Sequence, residues 1–153
     1  MRKNSLKKIY ILTVIIILFL SSLFIFSGCR NYDGKFDIVY YFKTEPEKTV
    51  IDFLESLNQK DAEYIYNNLI LSEDKNSISR EKYLEEFSKI FEDIVSVSIT
   101  GTVYLGYDSD TSRVVAEFNA TYRDGEIKDY KKYFYLLEEN GSWKIVLEKT
   151  FIY

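Results

Sequence analysis

The chain contains no histidine and has one cysteine, one proline and one tryptophan among its 153 residues. Without histidine, zinc sites of the Cys/His type and every general base built on imidazole are excluded. A single cysteine cannot form a disulfide within the chain. What is present is the composition of an ordinary folded domain, with 46% hydrophobic residues, 29% charged residues and 14 tyrosines. The length indicates one domain.

The N-terminus has the layout of an export segment. Arg2, Lys3, Lys7 and Lys8 precede an apolar run of 18 residues from Ile9 to Phe26. The run is longer than a usual signal-peptide core and just long enough to span a bilayer. Its length alone therefore leaves a cleaved signal and a retained membrane anchor both open.

The end of this run carries a second signal. Phe26-Ser27-Gly28-Cys29 resembles the bacterial lipobox, in which small residues precede a cysteine that is lipidated before the peptidase cuts in front of it. Three of the four residues match, whereas Phe26 departs from the leucine preferred at its place. The resemblance implies that residues 1–28 are a lipoprotein signal peptide, cleaved between Gly28 and Cys29, and that Cys29 carries acyl chains such as palmitate. An uncleaved transmembrane anchor and a buried structural cysteine are the alternatives.

Cleavage at Cys29 would leave 16 basic against 24 acidic residues, a formal net charge of −8. A domain of that charge is repelled by phosphate groups, so nucleic acid is not expected as a partner. The predicted location is the cell membrane, on its extracytoplasmic side, with the lipid anchor as the contact to the bilayer.

Residues 29–43 are predicted to hold the lipidated cysteine and a tether. Four apolar residues alternate at the end of this segment: Phe36, Ile38, Tyr40 and Phe42. The alternation indicates a short strand. A folded domain is predicted over residues 44–153.

The folded domain is predicted to open with three helices. Thr44 and Glu47 have the spacing of a capping box, with a proline between them, which predicts the start of the first helix. Asp61 opens a second, shorter helix, and Ser79 caps a third one that is strongly amphipathic. The polar stretch from Ser72 to Ser77 is predicted as a loop.

From Val95 the hydrophobic period changes from 3.6 to 2, which predicts strands. The odd positions from Val95 to Tyr107 are expected on one face of a long strand that bends at Gly101. Turn signals follow at three places: Asp108 to Thr111, Asp124-Gly125 and Asn140-Gly141. They predict a four-stranded antiparallel meander, with its last strand from Trp143 to Phe151.

Helices followed by hairpins predict the α+β class, with N-terminal helices packed on a curved four-stranded antiparallel sheet. Three segments resemble the nuclear transport factor 2-like (NTF2-like, or cystatin-like) superfamily: Val50-Ile51-Asp52-Phe53-Leu54, Lys60-Asp61-Ala62-Glu63-Tyr64 and Glu138-Glu139-Asn140-Gly141-Ser142-Trp143-Lys144-Ile145. The last is similar to the terminal hairpin of small domains in Gram-positive lipoproteins and of spacer domains ahead of some penicillin-binding transpeptidase domains. The resemblance implies a cone between helices and sheet, and it concerns fold rather than activity.

Catalytic chemistry finds little support in the sequence. Enzymes of this superfamily place an acid or a histidine beside tyrosine hydroxyls in the cone, but the acids of this chain fall on predicted exposed faces or in turns. Glu117, at mid-strand, is expected to be solvated. Ser79 and Lys82 have an S-x-x-K spacing without the partner motifs of penicillin-recognising enzymes, and Ser79 is explained as a helix cap. An acidic turn after the first strand fails the calcium-loop pattern. No catalytic residue, metal or cofactor is expected.

Four aromatic residues are candidates for lining a pocket: Tyr122, Tyr133, Tyr135 and Trp143. Such rings suit a ligand cavity, and they also suit a packed strand. The sequence therefore favours a non-catalytic binding or scaffolding module at the cell envelope, whose partner is another envelope protein or a second copy of the chain. The alternatives are capture of an unidentified small molecule in the cone and, behind it, a cone-pocket enzyme of the isomerase or dehydratase type.

Overall fold

The computed structural model of the chain describes residues 38–151, so the predicted signal peptide, Gly28 and Cys29 lie outside the described residues. The helices are α1 (Ile38–Tyr41), α2 (Glu45–Gln59), α3 (Ala62–Tyr64) with a π-helical continuation (Ile65–Leu69), α4 (Ser72–Ser77), α5 (Arg80–Asp93) and α6 (Leu147–Phe151). The strands are β1 (Ile94–Asp108), β2 (Thr111–Tyr122), β3 (Ile127–Glu139) and β4 (Ser142–Ile145).

The four strands form an antiparallel sheet in the order β1-β2-β3-β4, which confirms the predicted α+β class and the meander. The hairpin between β3 and β4 turns at Asn140 and Gly141, whose φ angles are 53° and 74°. A tight two-residue turn of this kind needs positive φ at both positions, which explains the Asn-Gly dipeptide. In the longer turn between β2 and β3, Gly125 alone has a positive φ, of 87°.

The helix starts follow the capping signals in the sequence. Asp61 Oδ1 accepts a hydrogen bond from the Tyr64 backbone N–H at 2.8 Å, and Ser79 Oγ accepts one from the Lys82 backbone N–H at 3.3 Å. Both bonds satisfy N–H groups that have no partner inside the helix. The Ser79 hydroxyl is therefore used as a cap, as predicted.

The N-terminus of α2 is fixed to β1 through a buried carboxylate. Glu47 is only 6% exposed. Its Oε2 accepts from the Thr44 backbone N–H at 3.0 Å and from Thr44 Oγ1 at 2.9 Å, which confirms the predicted capping box. Its Oε1 accepts from Lys43 Nζ at 3.0 Å, and the same ammonium donates to the Thr102 carbonyl of β1 at 2.6 Å.

The Glu47 carboxylate is expected to contribute stability that depends on pH. Burial alone would raise the pKa of Glu47, but the hydrogen bonds from Thr44 and Lys43 outweigh it, so the pKa lies below the ordinary value of 4.5. A lowered pKa in the folded state adds stability that is present above the unfolded-state pKa and is lost as the pH falls through the folded-state value. Glu47→Gln should therefore lower the free energy of unfolding by about 1–2 kcal/mol at pH 7, and by less at pH 3.

Chemical denaturation at the two pH values measures this difference. Glu45→Gln is the matched control, because Glu45 is 70% exposed and forms a surface ion pair with Lys48. Such a pair contributes at most about 1 kcal/mol. Equal losses for the two variants at pH 7, or a loss for Glu47→Gln that is undiminished at pH 3, would contradict the assignment.

The core lies between the helices and one face of the sheet, here named the core face. It carries the even-numbered residues of β2 and β3, and their odd-numbered residues lie on the outer face. Phe134 of β3, 1% exposed, has its ring centroid 5.7 Å from that of Phe53 in α2 and 6.2 Å from that of Phe151 in α6. Phe87 of α5 lies 6.5 Å from Phe53 and stacks on Tyr83 at 4.5 Å. Aromatic rings from helices and sheet thus fill the interior.

The short strand predicted within residues 36–42 is wrong for its described part, which forms α1. The backbone N–H groups of Phe42 and Lys43 bond to the carbonyls of Val39 and Tyr40 at 3.2 and 3.1 Å. A strand at this place would need a neighbouring strand to pair with, whereas a helical turn satisfies the same groups locally.

The loop predicted from Ser72 to Ser77 is also wrong, because these residues form α4. Their local sequence is polar, but Asp74 is 9% exposed and its Oδ2 accepts from the Leu147 backbone N–H at 2.7 Å. Lys75 also lies with its Nζ 5.4 Å from the Tyr66 ring centroid. Contacts with distant parts of the chain therefore stabilise a helix that the local pattern does not indicate.

The last predicted strand ends six residues early, at Ile145, and α6 follows it. The Asp74 carboxylate binds the first N–H of α6, and the Thr150 hydroxyl of α6 accepts from the Tyr135 backbone N–H at 3.1 Å. This turn of helix places the Phe151 ring 6.0 Å from that of Phe53 in the core.

The odd positions of β1 do not stay on one face. The register with β2 shifts between Ile99 and Gly101, at the predicted bend, so that one extra residue reverses the alternation. Val97 before the shift and Thr102 after it are buried, at 5% and 4% exposed, whereas Val103 is 55% exposed. The prediction that Val97 and Val103 share a face is wrong for this reason.

Candidate functional site

The structure distributes the four predicted pocket residues over both faces of the sheet. Tyr133 and Tyr135 occupy outer-face positions of β3, whereas Tyr122 and Trp143 occupy core-face positions at opposite ends of the sheet. The four side chains do not converge on one cavity. A ligand-binding role for any of them stays a prediction.

Tyr122 belongs to a small aromatic cluster at the end of β2. Its hydroxyl is hydrogen-bonded to that of Tyr130, and this bond, together with burial, raises the pKa of Tyr122 to about 12. Tyr130 in turn stacks on Phe118, with ring centroids 5.3 Å apart. Lys128 Nζ lies 5.0 Å from the Tyr122 ring centroid. The cluster is accounted for by cross-strand packing.

Glu117 lies on the outer face as predicted. Its Oε1 accepts from Lys131 Nζ at 2.7 Å, and the two side chains are 52% and 60% exposed. Asn119 and Asp129 form the next cross-strand pair, joined by a side-chain hydrogen bond. With Thr100 of β1 and the rings of Phe118 and Tyr130, these pairs line an open depression of about 310 Å³.

The buried acids among residues 38–151 are used for structure. Glu47 caps α2, and Asp74 caps α6. A tyrosine does meet an acid where the Tyr40 hydroxyl donates to Asp52 Oδ1 at 3.0 Å, and burial and that carboxylate raise the pKa of Tyr40. This pair joins α1 to α2, and neither residue belongs to the core cluster between helices and sheet. In the same part of the chain, no group of three acidic or cysteine side chains is placed to hold a metal ion.

The outer face presents an apolar row across three strands. Val103, Val115 and Tyr133 are direct cross-strand partners. Val103 and Tyr133 are 55% and 44% exposed, while Val115 between them is 9% exposed. The Arg113 guanidinium lies 5.8 Å from the Tyr133 ring centroid. These four residues, here named the outer-face row, form a patch of the composition that protein interfaces favour.

A groove of about 510 Å³ lies between α1, α2 and the edge of β1 that does not pair with β2. At one end, Asn58 Nδ2 donates to the Val97 carbonyl at 2.7 Å, and Asn58 Oδ1 accepts from the Val97 backbone N–H at 2.5 Å. At the other end, the Lys43 ammonium binds the Thr102 carbonyl. The side chains of Tyr40 and Glu55 add polar groups to the wall. The volume is in the range of small-molecule sites.

Sequence reasoning missed both the groove and the composition of the outer-face row. The groove arises where α2 lies along the edge of β1, and Asn58 and Val97 are 39 residues apart in the chain. The outer-face row depends on the bulge that turns Val103 outward. A glycine in the middle of an alternating strand was the one signal that could have pointed to it.

Comparison with known proteins identifies the family. A family model described as an NTF2-like N-terminal transpeptidase domain matches residues 45–153. The chain therefore belongs to the family of NTF2-like N-terminal transpeptidase domains, and the resemblance to the NTF2-like superfamily is confirmed. No curated protein matches the chain.

Two of the solved structures that the chain matches are described here. A proposed aromatic ring hydroxylase from Novosphingobium aromaticivorans matches with a TM-score of 0.51 and 13% identity, over 73% of this chain and 87% of its own. Similarity at that identity shows the fold alone. A SEC-C motif containing protein from Rhodopseudomonas palustris matches with a TM-score of 0.48 and 16% identity, over 67% of this chain and 75% of its own.

Within residues 38–151, no helix is both long and apolar enough to cross a membrane.

Proposed function

We propose that the chain is a non-catalytic interaction module of the cell envelope, held at the extracytoplasmic side of the membrane by lipid on Cys29. The observation that carries the proposal is the outer-face row, an exposed apolar patch on a domain whose interior is filled with aromatic rings. Its partner is a second copy of the chain or another envelope protein.

The outer-face row has the features of a docking surface. Tyrosine and arginine are among the residue types that most often dominate binding energy, and Tyr133 and Arg113 lie side by side in the outer-face row. Val115 is already shielded from water by its neighbours. A partner would therefore contact mainly Val103 and Tyr133, which lie on either side of it. NTF2-like domains often pair through their sheets, which fits this use of the outer face.

The anchor rests on the resemblance of residues 26–29 to the lipobox. Acyl chains on Cys29 would each contribute about 0.8 kcal/mol per buried methylene, so two or three chains hold a protein durably at a bilayer. The formal charge of −8 on residues 29–153 offers no electrostatic attraction to anionic headgroups, so the lipid would provide the attachment.

Cross-linking of the full-length chain in its own membranes tests the docking surface. The wild type should give a cross-linked adduct of one defined mass, and Tyr133→Ser should reduce its yield at least about fivefold, because truncating an interface tyrosine that dominates binding costs more than about 1 kcal/mol. Tyr107→Ser is the matched control, since Tyr107 is a 68% exposed tyrosine of β1 outside the outer-face row. An adduct insensitive to Tyr133→Ser, or equally sensitive to Tyr107→Ser, would count against the outer-face row.

A second candidate function, capture of a small molecule, is favoured by the groove between α2 and β1. Its wall combines apolar side chains with the polar groups of Tyr40, Lys43 and Glu55, a mixture that suits a small polar ligand. Native mass spectrometry of the purified chain separates the two functions. A retained small mass supports capture, whereas an apo dimer supports the interaction module.

A further inference from the structure

The first described turn of the chain carries an exposed apolar tip. In α1 and the residue after it, Val39 and Tyr41 are each 61% exposed and Phe42 is 81% exposed. The rings of Tyr41 and Phe42 touch edge to face, with centroids 5.8 Å apart. We name these three residues the α1 tip. Phe42 is the most exposed large hydrophobic residue among residues 39–151.

The residues next to the α1 tip are hydrogen-bonded to the rest of the domain. Tyr40 donates its hydroxyl to Asp52 of α2 at 3.0 Å, and the Lys48 ammonium lies 5.9 Å from its ring centroid. Lys43, the next residue after the tip, is held by Glu47 and by the carbonyl of Thr102. With Tyr40 and Lys43 fixed to α2 and β1, the apolar side chains between and beside them are held outward.

We propose that the α1 tip lies in the interfacial layer of the membrane that anchors the chain. The inference rests on the membrane attachment in the proposed function, but not on which anchor provides it. Eight residues separate Cys29 from Ile38, and Phe26 ends the apolar run three residues before Cys29. Eight residues span at most about 29 Å when fully extended. Whether the anchor is lipid on Cys29 or the retained apolar run, α1 is held within reach of the bilayer surface.

The chemistry of the α1 tip suits a membrane interface. Aromatic side chains are favoured where the hydrocarbon layer meets the headgroups. A tyrosine there places its ring in the hydrocarbon layer and its hydroxyl among the headgroups. The excess of acidic residues in the exported domain disfavours attraction by anionic headgroups. The contact would therefore be apolar and insensitive to salt on zwitterionic lipid. On anionic lipid it would be weaker, and salt would reduce that difference by screening the repulsion.

Fluorescence quenching by brominated lipids tests this contact on the full-length chain, reconstituted into phosphatidylcholine vesicles. The single native tryptophan is removed by Trp143→Phe, and Tyr41→Trp introduces a reporter in the α1 tip. Tyr107→Trp in the same background is the matched control at an exposed tyrosine of β1. We expect quenching at position 41 to be at least about threefold stronger than at position 107, and Phe42→Ser to reduce it severalfold.

The outcomes separate this inference from the anchor itself. Cosedimentation with vesicles but no quenching at position 41 overturns the inference and leaves the anchor intact. A blue shift at position 41 that grows with protein concentration, without quenching by lipid, assigns the α1 tip to a protein contact instead and also overturns it. Failure of the chain to sediment with vesicles overturns both the anchor and the inference.

Discussion

Phe134→Ala is expected to lower the free energy of unfolding by about 3–5 kcal/mol, a large part of the total stability of a domain of this size. Phe134 is 1% exposed and is the largest fully buried side chain among the described residues. Its ring touches that of Phe53 in α2 and that of Phe151 in α6, so three elements pack around it. Removing the ring leaves a cavity that neighbours fixed in helices and sheet cannot close.

Urea or thermal denaturation of the two proteins measures this loss. Tyr107→Ala serves as the control, because it removes an aromatic ring of similar size from a position 68% exposed, and it should change stability by less than about 1 kcal/mol. A loss below about 1.5 kcal/mol for Phe134→Ala would mean that the interior collapses around the missing ring and is packed less tightly than the ring distances indicate.

Cys29→Ser is expected to abolish both acylation and cleavage in front of residue 29. The resemblance to the lipobox implies that the thiol accepts a diacylglyceryl group as a thioether and that this lipidation precedes cleavage. The wild-type chain should therefore have the mass of residues 29–153 plus its acyl groups, while the variant should lack the acyl mass and retain residues 1–28. Intact-protein mass spectrometry after expression in a lipidating bacterial host measures both changes.

The control for this experiment is Ser27→Ala, which keeps a small residue in front of the cleavage site and should leave the processing unchanged. A wild-type chain that retains residues 1–28 without acyl mass would support the uncleaved transmembrane anchor instead. Identical masses for the wild type and Cys29→Ser, apart from the substituted atom, would remove the basis for lipidation.

Several parts of the fold could be read from short stretches of the sequence, because the interactions that form them are local. The caps at Thr44, Asp61 and Ser79 each bind the N–H group three residues further on. The Asn140-Gly141 turn needs two residues that tolerate positive φ. A pattern that depends on neighbours three or four positions away is visible in one sequence.

The predictions that are wrong concern elements that are stabilised by contacts between distant parts of the chain. Residues 72–77 are polar and were expected to form a loop, but the carboxylate of Asp74 binds an N–H of Leu147, 73 residues along the chain. The same bond helps to end β4 and begin α6. Neither partner shows in its own surroundings that the other is near, so the local pattern misses both elements.

In the candidate site, too, the local sequence predicts which residues are present, whereas the tertiary structure decides where they lie. The tyrosines and the tryptophan that suggested a pocket are present, but strand alternation and their positions along the strands place them on two faces and at opposite ends of the sheet. The outer-face row exists because one extra residue near Gly101 turns Val103 outward. One extra residue reverses the side-chain alternation up to the next register shift, which lies between Tyr104 and Gly106. Gly101 is the one local signal of it in the sequence.

By itself, the sequence determined the class of the fold, the order of its main elements, the absence of imidazole chemistry and the expectation of an anchor at Cys29. These follow from composition and from contacts between near neighbours in the chain. Only the tertiary structure decided which surfaces are exposed: the outer-face row, the groove beside β1 and the α1 tip. Each of these depends on how distant segments pack against one another, and packing between distant segments is set by the whole fold rather than by any local pattern.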